Sequence, residues 1–284
     1  MNRVFKAYLS LIKPGVTGMV LVTASVGFYL GADVFRWPHF FSALAGVSLT
    51  AAGANALNQW MEREADARME RTKTRPLPSG KLGGRSALVF GSLLSFLGVA
   101  VNFYFVNRST AFAALASLVS YLFLYTPLKR KTVYNTFVGA VAGAIPALMG
   151  WTAAQGRLEL AAFALFLILF VWQLPHVFAI AWVYRKDYKN GGFRMMTLTD
   201  ESGLRTAWQI AGGAFLVFLA SLLPAFLGIA GPAYLSIALF AGIVFTGFAV
   251  CLVSSRLRYA KEFIPVSIIY LAVLHITLLT DKMG

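Results

Sequence analysis

The sequence predicts an all-α integral membrane protein: one domain over residues 1–284, with nine transmembrane helices in a single bundle. The chain has 284 residues, of which 58% are hydrophobic and 13% are charged, and its mean hydropathy is +0.70. These values lie far outside the range of water-soluble domains of this length. A bilayer core of roughly 30 Å requires about 20 apolar residues per helix. The chain has room for nine such helices, and its basic residues fall between the apolar runs.

The apolar runs have the length of transmembrane helices. They lie near residues 14–33, 39–60, 86–106, 110–127, 135–154, 160–183, 207–228, 232–253 and 263–280. The first run follows a short basic segment without an early small-residue cleavage pattern, so we expect it to be retained as a helix. The single cysteine, Cys251, lies in the eighth run, which excludes an intramolecular disulfide and a cysteine metal cluster.

The basic residues indicate the orientation of the chain. If the N-terminus lies in the cytoplasm and the C-terminus outside, every Lys and Arg falls in an inner segment except Arg36, Arg108, Arg157 and Lys282. This bias explains the net charge of +14 without a nucleic-acid partner. The inner segments 61–85 and 184–206 also carry most of the acidic residues, so a reaction site should open toward the cytoplasm.

Three oxygen-bearing side chains lie at the inner end of the second run. Asn58, Glu62 and Asp66 are spaced four residues apart, so on a helix they lie along one face over about 12 Å of its axis. Such oxygen ligands suit Mg²⁺, which is commonly bound by one or two carboxylates together with substrate phosphate oxygens. The alternative is that these carboxylates only solvate a helix end among arginines.

A cluster of cations follows directly. Arginine binds phosphate oxygens bidentately, and two prolines stiffen this segment, so it is suited to hold a leaving diphosphate. The alternative is that these positive charges only set the orientation of the chain in the membrane. The basic residues of this cluster are Arg68, Arg71, Lys73, Arg75 and Lys81.

The pattern N-x3-[DE]-x3-D followed by R-T-K-T-R-P-L-P resembles the signature of the UbiA-type intramembrane prenyltransferases, and most closely that of the heme O synthase branch. The resemblance covers the chain from Y-L-S-L-I-K-P-G through the loop after the sixth run. It implies a UbiA-like helical bundle with Mg²⁺ as cofactor, bound by Asn58, Glu62 and Asp66. Glu62 departs from the pattern, because many relatives have aspartate there.

A second motif, Y-T-P-L-K-R-K-T-V-Y-N, follows the fourth run. The resemblance implies that its cations Lys129, Arg130 and Lys131 also face diphosphate, and it places Asn135 near the substrate cavity. Gly139 and Gly143 have the G-x3-G spacing that is typical of close helix contacts.

The third motif, W-Q-L-P-H, lies in the sixth run. A histidine inside a membrane is costly to leave unpaired and marks function more often than in a soluble core, so His176 is a candidate heme ligand or orienting group, beside Gln173 and Trp172. An interhelical hydrogen bond is its alternative role. His275 is a weaker heme candidate, and His39 lies near the outer surface.

The segment after W-Q-L-P-H resembles the second acidic motif of the heme O synthases. The resemblance implies that Asp187 is a fourth metal ligand, and that Tyr184 and Tyr188 orient heme. Aromatic-substrate relatives carry a further aspartate four residues later, where this chain has Gly191. We therefore expect one ion.

The implied reaction transfers farnesyl from farnesyl diphosphate to a vinyl group of protoheme IX, with water supplying a hydroxyl, and yields heme O. Membrane lipid, a heme A synthase and terminal oxidase assembly proteins are the implied partners. The missing transit peptide favours a bacterial plasma membrane. The rival hypotheses are a superfamily member that prenylates a quinone precursor or a chlorin, and a transporter or heme-binding scaffold.

Overall fold

The computed structural model describes residues 3–283, which are helical almost throughout. Within these residues, nine helices are long and apolar enough to cross a membrane. They match the predicted runs in number and order, so the all-helical fold with nine candidate membrane spans is confirmed. In chain order, with the short helices α1 and α8 included, they are α1 (Arg3–Leu11), α2 (Pro14–Gly31), α3 (Trp37–Asp66), α4 (Gly84–Val106), α5 (Arg108–Leu128), α6 (Asn135–Gln155), α7 (Leu160–Val183), α8 (Arg185–Asn190), α9 (Leu204–Phe226), α10 (Pro232–Ser254) and α11 (Ala260–Thr280).

The second spanning helix, α3, is longer than the bilayer core. Its 30 residues extend over about 45 Å, against roughly 30 Å of hydrocarbon. The predicted apolar run ends near residue 60, and the helix continues beyond it through Asp66. Glu62 and Asp66 are each paired with a cation there. The polar row therefore lies on a helix, as its spacing predicted.

A short amphipathic helix precedes the first span, where the sequence was interpreted only as a basic segment. Helix α1 buries Ala7 and Leu11 and exposes Phe5. The chain then breaks at Lys13, whose φ of 48° lies in the left-handed region, and Pro14 begins α2. Gln59 on α3 donates to the carbonyl oxygens of this break, at 2.9 Å from Leu11.

Small residues allow the helices to approach closely. A Cβ atom on Gly53 of α3 would clash with Ser95 and Gly91 of α4. The predicted contact role of Gly139 and Gly143 is confirmed, because a Cβ at these positions would overlap the ring of Tyr125 and the side chain of Gln173. Large apolar side chains such as Phe96, Phe112 and Phe240 remain exposed on the perimeter, as lipid contact requires.

Contacts between the connecting segments show which helix ends share a membrane face. Lys13, before α2, contacts Asn58 near the end of α3, and Lys129, after α5, contacts Glu62. Lys282, near the C-terminus, instead donates to the carbonyl oxygen of Ala32, at the opposite end of α2. The described ends of the chain therefore lie at opposite faces of the bundle. We refer to the face that carries Lys13 as the inner face.

Candidate active site

The polar row of α3 begins at Asn58, which is buried between two neighbouring elements. Lys13 Nζ donates to Asn58 Oδ1 at 3.1 Å, and Asn58 Nδ2 donates to the Thr126 hydroxyl at 3.1 Å. Thr126 also donates to Tyr121 O at 2.8 Å, across the π-helical turn Val119–Tyr125. This turn places the end of α5 against α3.

One helical turn further along α3, Glu62 forms a buried ion pair with Lys129. Lys129 Nζ lies 2.9 Å from Glu62 Oε1 and 4.5 Å from the ring centre of Tyr125. Burial alone would lower the pKa of Lys129, but the Glu62 carboxylate outweighs burial and holds that pKa above its ordinary value. Lys129 therefore remains charged at neutral pH.

Asp66 completes the row and is paired on one side only. Arg75 Nη1 donates to Asp66 Oδ2 at 2.7 Å, whereas Asp66 Oδ1 is buried without a hydrogen-bond donor among the described residues. A buried carboxylate oxygen with an unused lone pair is costly unless a cation or donor meets it. The donor set of Asn58, Glu62 and Asp66 fits a hard cation such as Mg²⁺ in this respect.

Sequence reasoning missed Lys13. Burial first, and then the positive charges of Arg75 and Lys129, lower the pKa of Lys13 to about 7. The signal available in the sequence was a Lys-Pro pair at the junction of a basic segment and an apolar run. Its target, Asn58, lies 45 positions away, so the pair alone did not identify the contact.

The remaining predicted diphosphate residues are more peripheral than Arg75 and Lys129. Arg68 Nη2 donates to Gly191 O at 3.4 Å, and Lys73 forms an exposed ion pair with Glu70 at 2.6 Å. The side chains of Arg130 and Lys131 are exposed at the surface. The structure thus brings two of the eight predicted cations, Arg75 and Lys129, onto the acidic row, and adds Lys13.

The predicted fourth ligand, Asp187, does not join the row. Its two carboxylate oxygens accept hydrogen bonds from the backbone N–H groups of Glu70 and Arg71, each at 3.1 Å. Within residues 3–283, no three His, Cys, Asp or Glu side chains are arranged to hold a metal ion. An ion bound beside Glu62 and Asp66 would need further oxygen ligands, such as the Asn58 amide oxygen, water or substrate phosphate oxygens.

The W-Q-L-P-H motif of α7 packs against α11 through Ser267. His176 Nδ1 lies 2.7 Å from Ser267 Oγ, and Trp172 Nε1 donates to Ser267 O at 2.7 Å. The two rings stack with their centres 4.7 Å apart. The interhelical hydrogen bond that the sequence left as an alternative for His176 is therefore present.

The other predicted heme residues have protein partners. Gln173 donates to Ala140 O at 3.2 Å, and Asn135 donates to Arg194 O at 2.6 Å, while Asn135 Oδ1 is buried without a partner among the described residues. The rings of Tyr184 and Tyr188 lie beside the guanidinium group of Arg71.

The two remaining histidines lie away from the acidic row. His39 Nε2 lies 2.7 Å from Ala153 O, near the outer ends of α3 and α6. His275 lines an apolar cavity of about 10 Å³ together with Thr23, which has room for about one water molecule and none for heme.

Comparison with known proteins assigns the family. The model of the "UbiA prenyltransferase family" matches residues 20–263. A structure of digeranylgeranylglyceryl phosphate synthase superposes with a TM-score of 0.81 at 19% identity, and covers 99% of both chains. A UbiA homolog from Archaeoglobus fulgidus bound to DMAPP and Mg2+ superposes with a TM-score of 0.71 at 17% identity, over 96% of this chain and 99% of that one. At these identities the structures show a shared fold.

Curated relatives are closer in sequence and match over nearly their whole length. The protoheme IX farnesyltransferase of Solibacter usitatus is 39% identical, over 98% of this chain and 99% of the relative. That of Anaeromyxobacter sp. is 40% identical, over 96% and 92% respectively. The chain therefore belongs to the UbiA prenyltransferase family, within its protoheme IX farnesyltransferase group.

Proposed function

We propose that the protein transfers the farnesyl group of farnesyl diphosphate to a vinyl group of protoheme IX, with addition of a hydroxyl group from water, to give heme O and diphosphate. The family membership supports this reaction, since relatives that match over nearly the whole chain are protoheme IX farnesyltransferases. The observation that carries the assignment of the site is the convergence of Lys13, Lys129 and Arg75 on the acidic row of α3.

The residues of the site suit a diphosphate that leaves as negative charge grows on it. Lys13, Lys129 and Arg75 are held by Asn58, Glu62 and Asp66 before substrate arrives. Lys129 and Arg75, and Lys13 when it is protonated, can then pair with phosphate oxygens at little cost in reorganisation, which is the basis of electrostatic preorganisation. Arg75 offers a planar fork and Lys129 a point charge, so together they orient and neutralise the leaving group.

Asn58, Glu62 and Asp66 would hold Mg²⁺, the cofactor that the family implies and the ion bound in the Archaeoglobus fulgidus homolog. When bound, Mg²⁺ supplies charge stabilisation of the leaving diphosphate. Asp66 Oδ1 supports this assignment because it is buried and lacks a donor among the described residues. Asp187, the predicted fourth ligand, instead accepts hydrogen bonds from the backbone N–H groups of Glu70 and Arg71 in the loop that follows α3.

We assign the heme substrate to the α7 side of the site, with His176 as the group that meets its iron. Ser267 Oγ donates its proton to Ile264 O at 2.7 Å, so toward His176 it acts as an acceptor and Nδ1 carries the hydrogen. The Nε2 lone pair is then free, and it has no hydrogen bond among the described residues. Histidine ligands of metals commonly have their other ring nitrogen fixed in this way. Gln173, Trp172, Asn135, Tyr184 and Tyr188 remain proposed orienting residues.

We further propose that the inner face is the cytoplasmic face of a bacterial plasma membrane and that residues 1–284 act as one domain. The bias of Lys and Arg toward this face supports the orientation. A heme A synthase or a terminal oxidase assembly protein is the proposed recipient of the product. This recipient must accept a large apolar heme from within the bilayer.

The choice of acceptor tests this function. Purified protein in lipid nanodiscs is incubated with farnesyl diphosphate, Mg²⁺ and an equimolar mixture of protoheme IX and 4-hydroxybenzoate, and the products are identified by mass spectrometry. We expect heme O and no prenylated benzoate. Prenylation of the phenolic acceptor alone would retain the fold and the diphosphate site and would overturn the heme assignment.

A further inference from the structure

A groove runs between α1 and the first turns of α4 at the inner face of the bundle. Its volume is about 610 Å³, within the range of roughly 300–1,000 Å³ that is typical of small-molecule sites. The acidic row of α3 and its cation partners do not contribute to it, so the groove is separate from the proposed active site. The residues that line it are Tyr8, Arg85, Ser86, Val89, Phe90 and Leu93.

One side of α4 forms the long wall of the groove. Arg85, Val89 and Leu93 are spaced four residues apart, so they lie along one side of the helix over about 12 Å of its axis. Arg85 is exposed at the inner end of α4, and Val89 and Leu93 below it are 60% and 53% exposed. The wall therefore carries a positive charge near the membrane surface and apolar side chains toward the bilayer core.

Tyr8 of the amphipathic helix α1 forms the opposite wall. Its ring packs edge-on against that of Phe90, with the ring centres 4.8 Å apart. Both rings pack on a cluster in which Leu11 and Ala87 are fully buried, so packing fixes the floor of the groove. Tyrosine combines an apolar ring with a hydroxyl group and is enriched at membrane–water interfaces. It suits a wall at the height of lipid head groups.

The charge of the two helices favours an anionic occupant. Helices α1 and α4 carry the basic residues Arg3, Lys6 and Arg85 and no acidic residue. Arg85 is exposed and has no hydrogen bond or ion pair among the described residues, and the same holds for the hydroxyl group of Ser86. A guanidinium group binds phosphate oxygens bidentately, and a hydroxyl group adds a further donor. The polar end of the groove is therefore suited to a phosphate group.

A phospholipid fits the groove better than a water-soluble phosphate does. A soluble anion would use Arg85 and leave the apolar wall of Val89 and Leu93 uncovered, whereas a phospholipid presents an anionic head group and apolar chains in the order in which the groove presents their partners. Arg85 also adds to the positive charge of the inner face. That role alone requires no groove and gives no preference for one lipid at this position.

We propose that the groove between α1 and α4 binds one anionic phospholipid from the leaflet at the inner face. Its phosphate group is held by Arg85 and Ser86, and its acyl chains lie along Val89 and Leu93. The bound lipid also covers Tyr8, and it thereby stabilises the packing of α1 against α4.

The experiment measures lipid binding by native mass spectrometry of the full chain in detergent micelles. The probes are phosphatidylglycerol and phosphatidylcholine with the same acyl chains, and glycerol 1-phosphate serves as a head group without chains. Arg85→Gln removes the charge, and Val89→Trp fills the apolar wall at an exposed position without a change in charge. Arg258→Gln is the matched control, since Arg258 is an exposed arginine in the loop before α11, outside the groove.

We expect wild type and Arg258→Gln to retain one phosphatidylglycerol about fivefold more tightly than phosphatidylcholine, the contribution expected of one arginine at an anionic lipid. Arg85→Gln should retain the two lipids equally, because the group that distinguishes their head groups is missing. Val89→Trp should also lose the preference, because the chains no longer fit. Glycerol 1-phosphate at the same concentration should not displace phosphatidylglycerol from wild type.

Equal retention of the two lipids by wild type would overturn the proposal, and so would a wild-type preference in Arg85→Gln or Val89→Trp. A loss in Arg258→Gln as large as that in Arg85→Gln would assign the preference to the general charge of the inner face and would overturn it as well. Displacement by glycerol 1-phosphate would assign the groove to a soluble phosphate instead of a lipid. These measurements need no turnover, so they are independent of the proposed function.

Discussion

Lys129 Nζ lies 2.9 Å from Glu62 Oε1, and this ion pair joins the inner ends of α5 and α3. The two side chains are only 14% and 7% exposed. Removing one partner of such a pair leaves the other charge buried and uncompensated, which costs about 3–5 kcal/mol, whereas replacing both partners is often nearly neutral. The pair therefore allows its role in stability to be separated from its role in catalysis.

We expect Lys129→Met to lower the free energy of unfolding by about 3–5 kcal/mol. The double variant Lys129→Met with Glu62→Gln should recover most of this stability. It should not recover activity, because both a diphosphate cation and a metal ligand are then missing. Thermal unfolding in nanodiscs and heme O formation are measured side by side. Recovery of activity in the double variant would contradict the assignment of both residues.

Asp66→Asn removes the charge that holds Arg75 and a proposed metal ligand at once. We expect turnover to fall by about 10²–10³, the size of the loss when one preorganised electrostatic group is removed from an active site. Yield and membrane insertion should match wild type, with Glu64→Gln as the control for loss of a carboxylate. Wild-type turnover of Asp66→Asn at saturating Mg²⁺ would refute the role of Asp66.

His176→Ala should raise the KM for protoheme IX by about 10–100-fold and leave the KM for farnesyl diphosphate unchanged. Ser267→Ala should have a smaller effect in the same direction, because it frees the ring that Ser267 orients. Steady-state kinetics and the Soret absorption band of bound protoheme IX report on the two variants. Identical Soret bands in wild type and His176→Ala would exclude ligation of iron.

Asp200 provides a test of pH dependence away from the active site. Burial raises the pKa of Asp200, but hydrogen bonds from Thr206, Ser202 and Gly203 outweigh burial and hold that pKa below its ordinary value. A depressed carboxyl pKa contributes stability above the unfolded pKa, and this contribution is lost as pH falls through the folded pKa. Asp200→Ala should therefore cost about 1–2 kcal/mol at pH 7. The difference in unfolding temperature from wild type should shrink toward pH 3, and a constant difference would contradict this account.

Orientation is tested by cysteine labelling in the Cys251→Ser background, since Cys251 is the single cysteine of the chain. Ser79 and Met283 are exposed and lie at opposite faces of the bundle. In intact spheroplasts, a membrane-impermeant maleimide should label Met283→Cys and spare Ser79→Cys. The reverse pattern would invert the proposed topology.

The fold was predictable because hydropathy determines where a chain can cross a bilayer. The placement of Asn58, Glu62 and Asp66 on one helical face was equally predictable, since residues four positions apart lie on nearly the same side of a helix. The partners of these residues were harder to predict. Lys13 reaches Asn58 across 45 positions, and Ser267 reaches His176 across 91, so helix packing rather than local pattern brings them together.

Asp187 shows a different limit of sequence reasoning. Its motif predicted a carboxylate near the active site, but the donors that occupy it are backbone N–H groups of Glu70 and Arg71. Every residue except proline carries such a group, so no residue type marks it in the sequence. Only the path of the loop that follows α3 identifies the contact.

The most direct test of the proposed reaction uses purified protein in nanodiscs with protoheme IX and farnesyl diphosphate, with Mg²⁺ or with a chelator, and detects the product by mass spectrometry. We predict heme O and diphosphate in equal amounts with Mg²⁺, neither product with the chelator, and with Asp66→Asn a rate of heme O formation lower by about 10²–10³. Heme O formed at the same rate in the chelator, or by Asp66→Asn at the wild-type rate, would contradict the assignment of the α3 acidic row as the site of diphosphate departure.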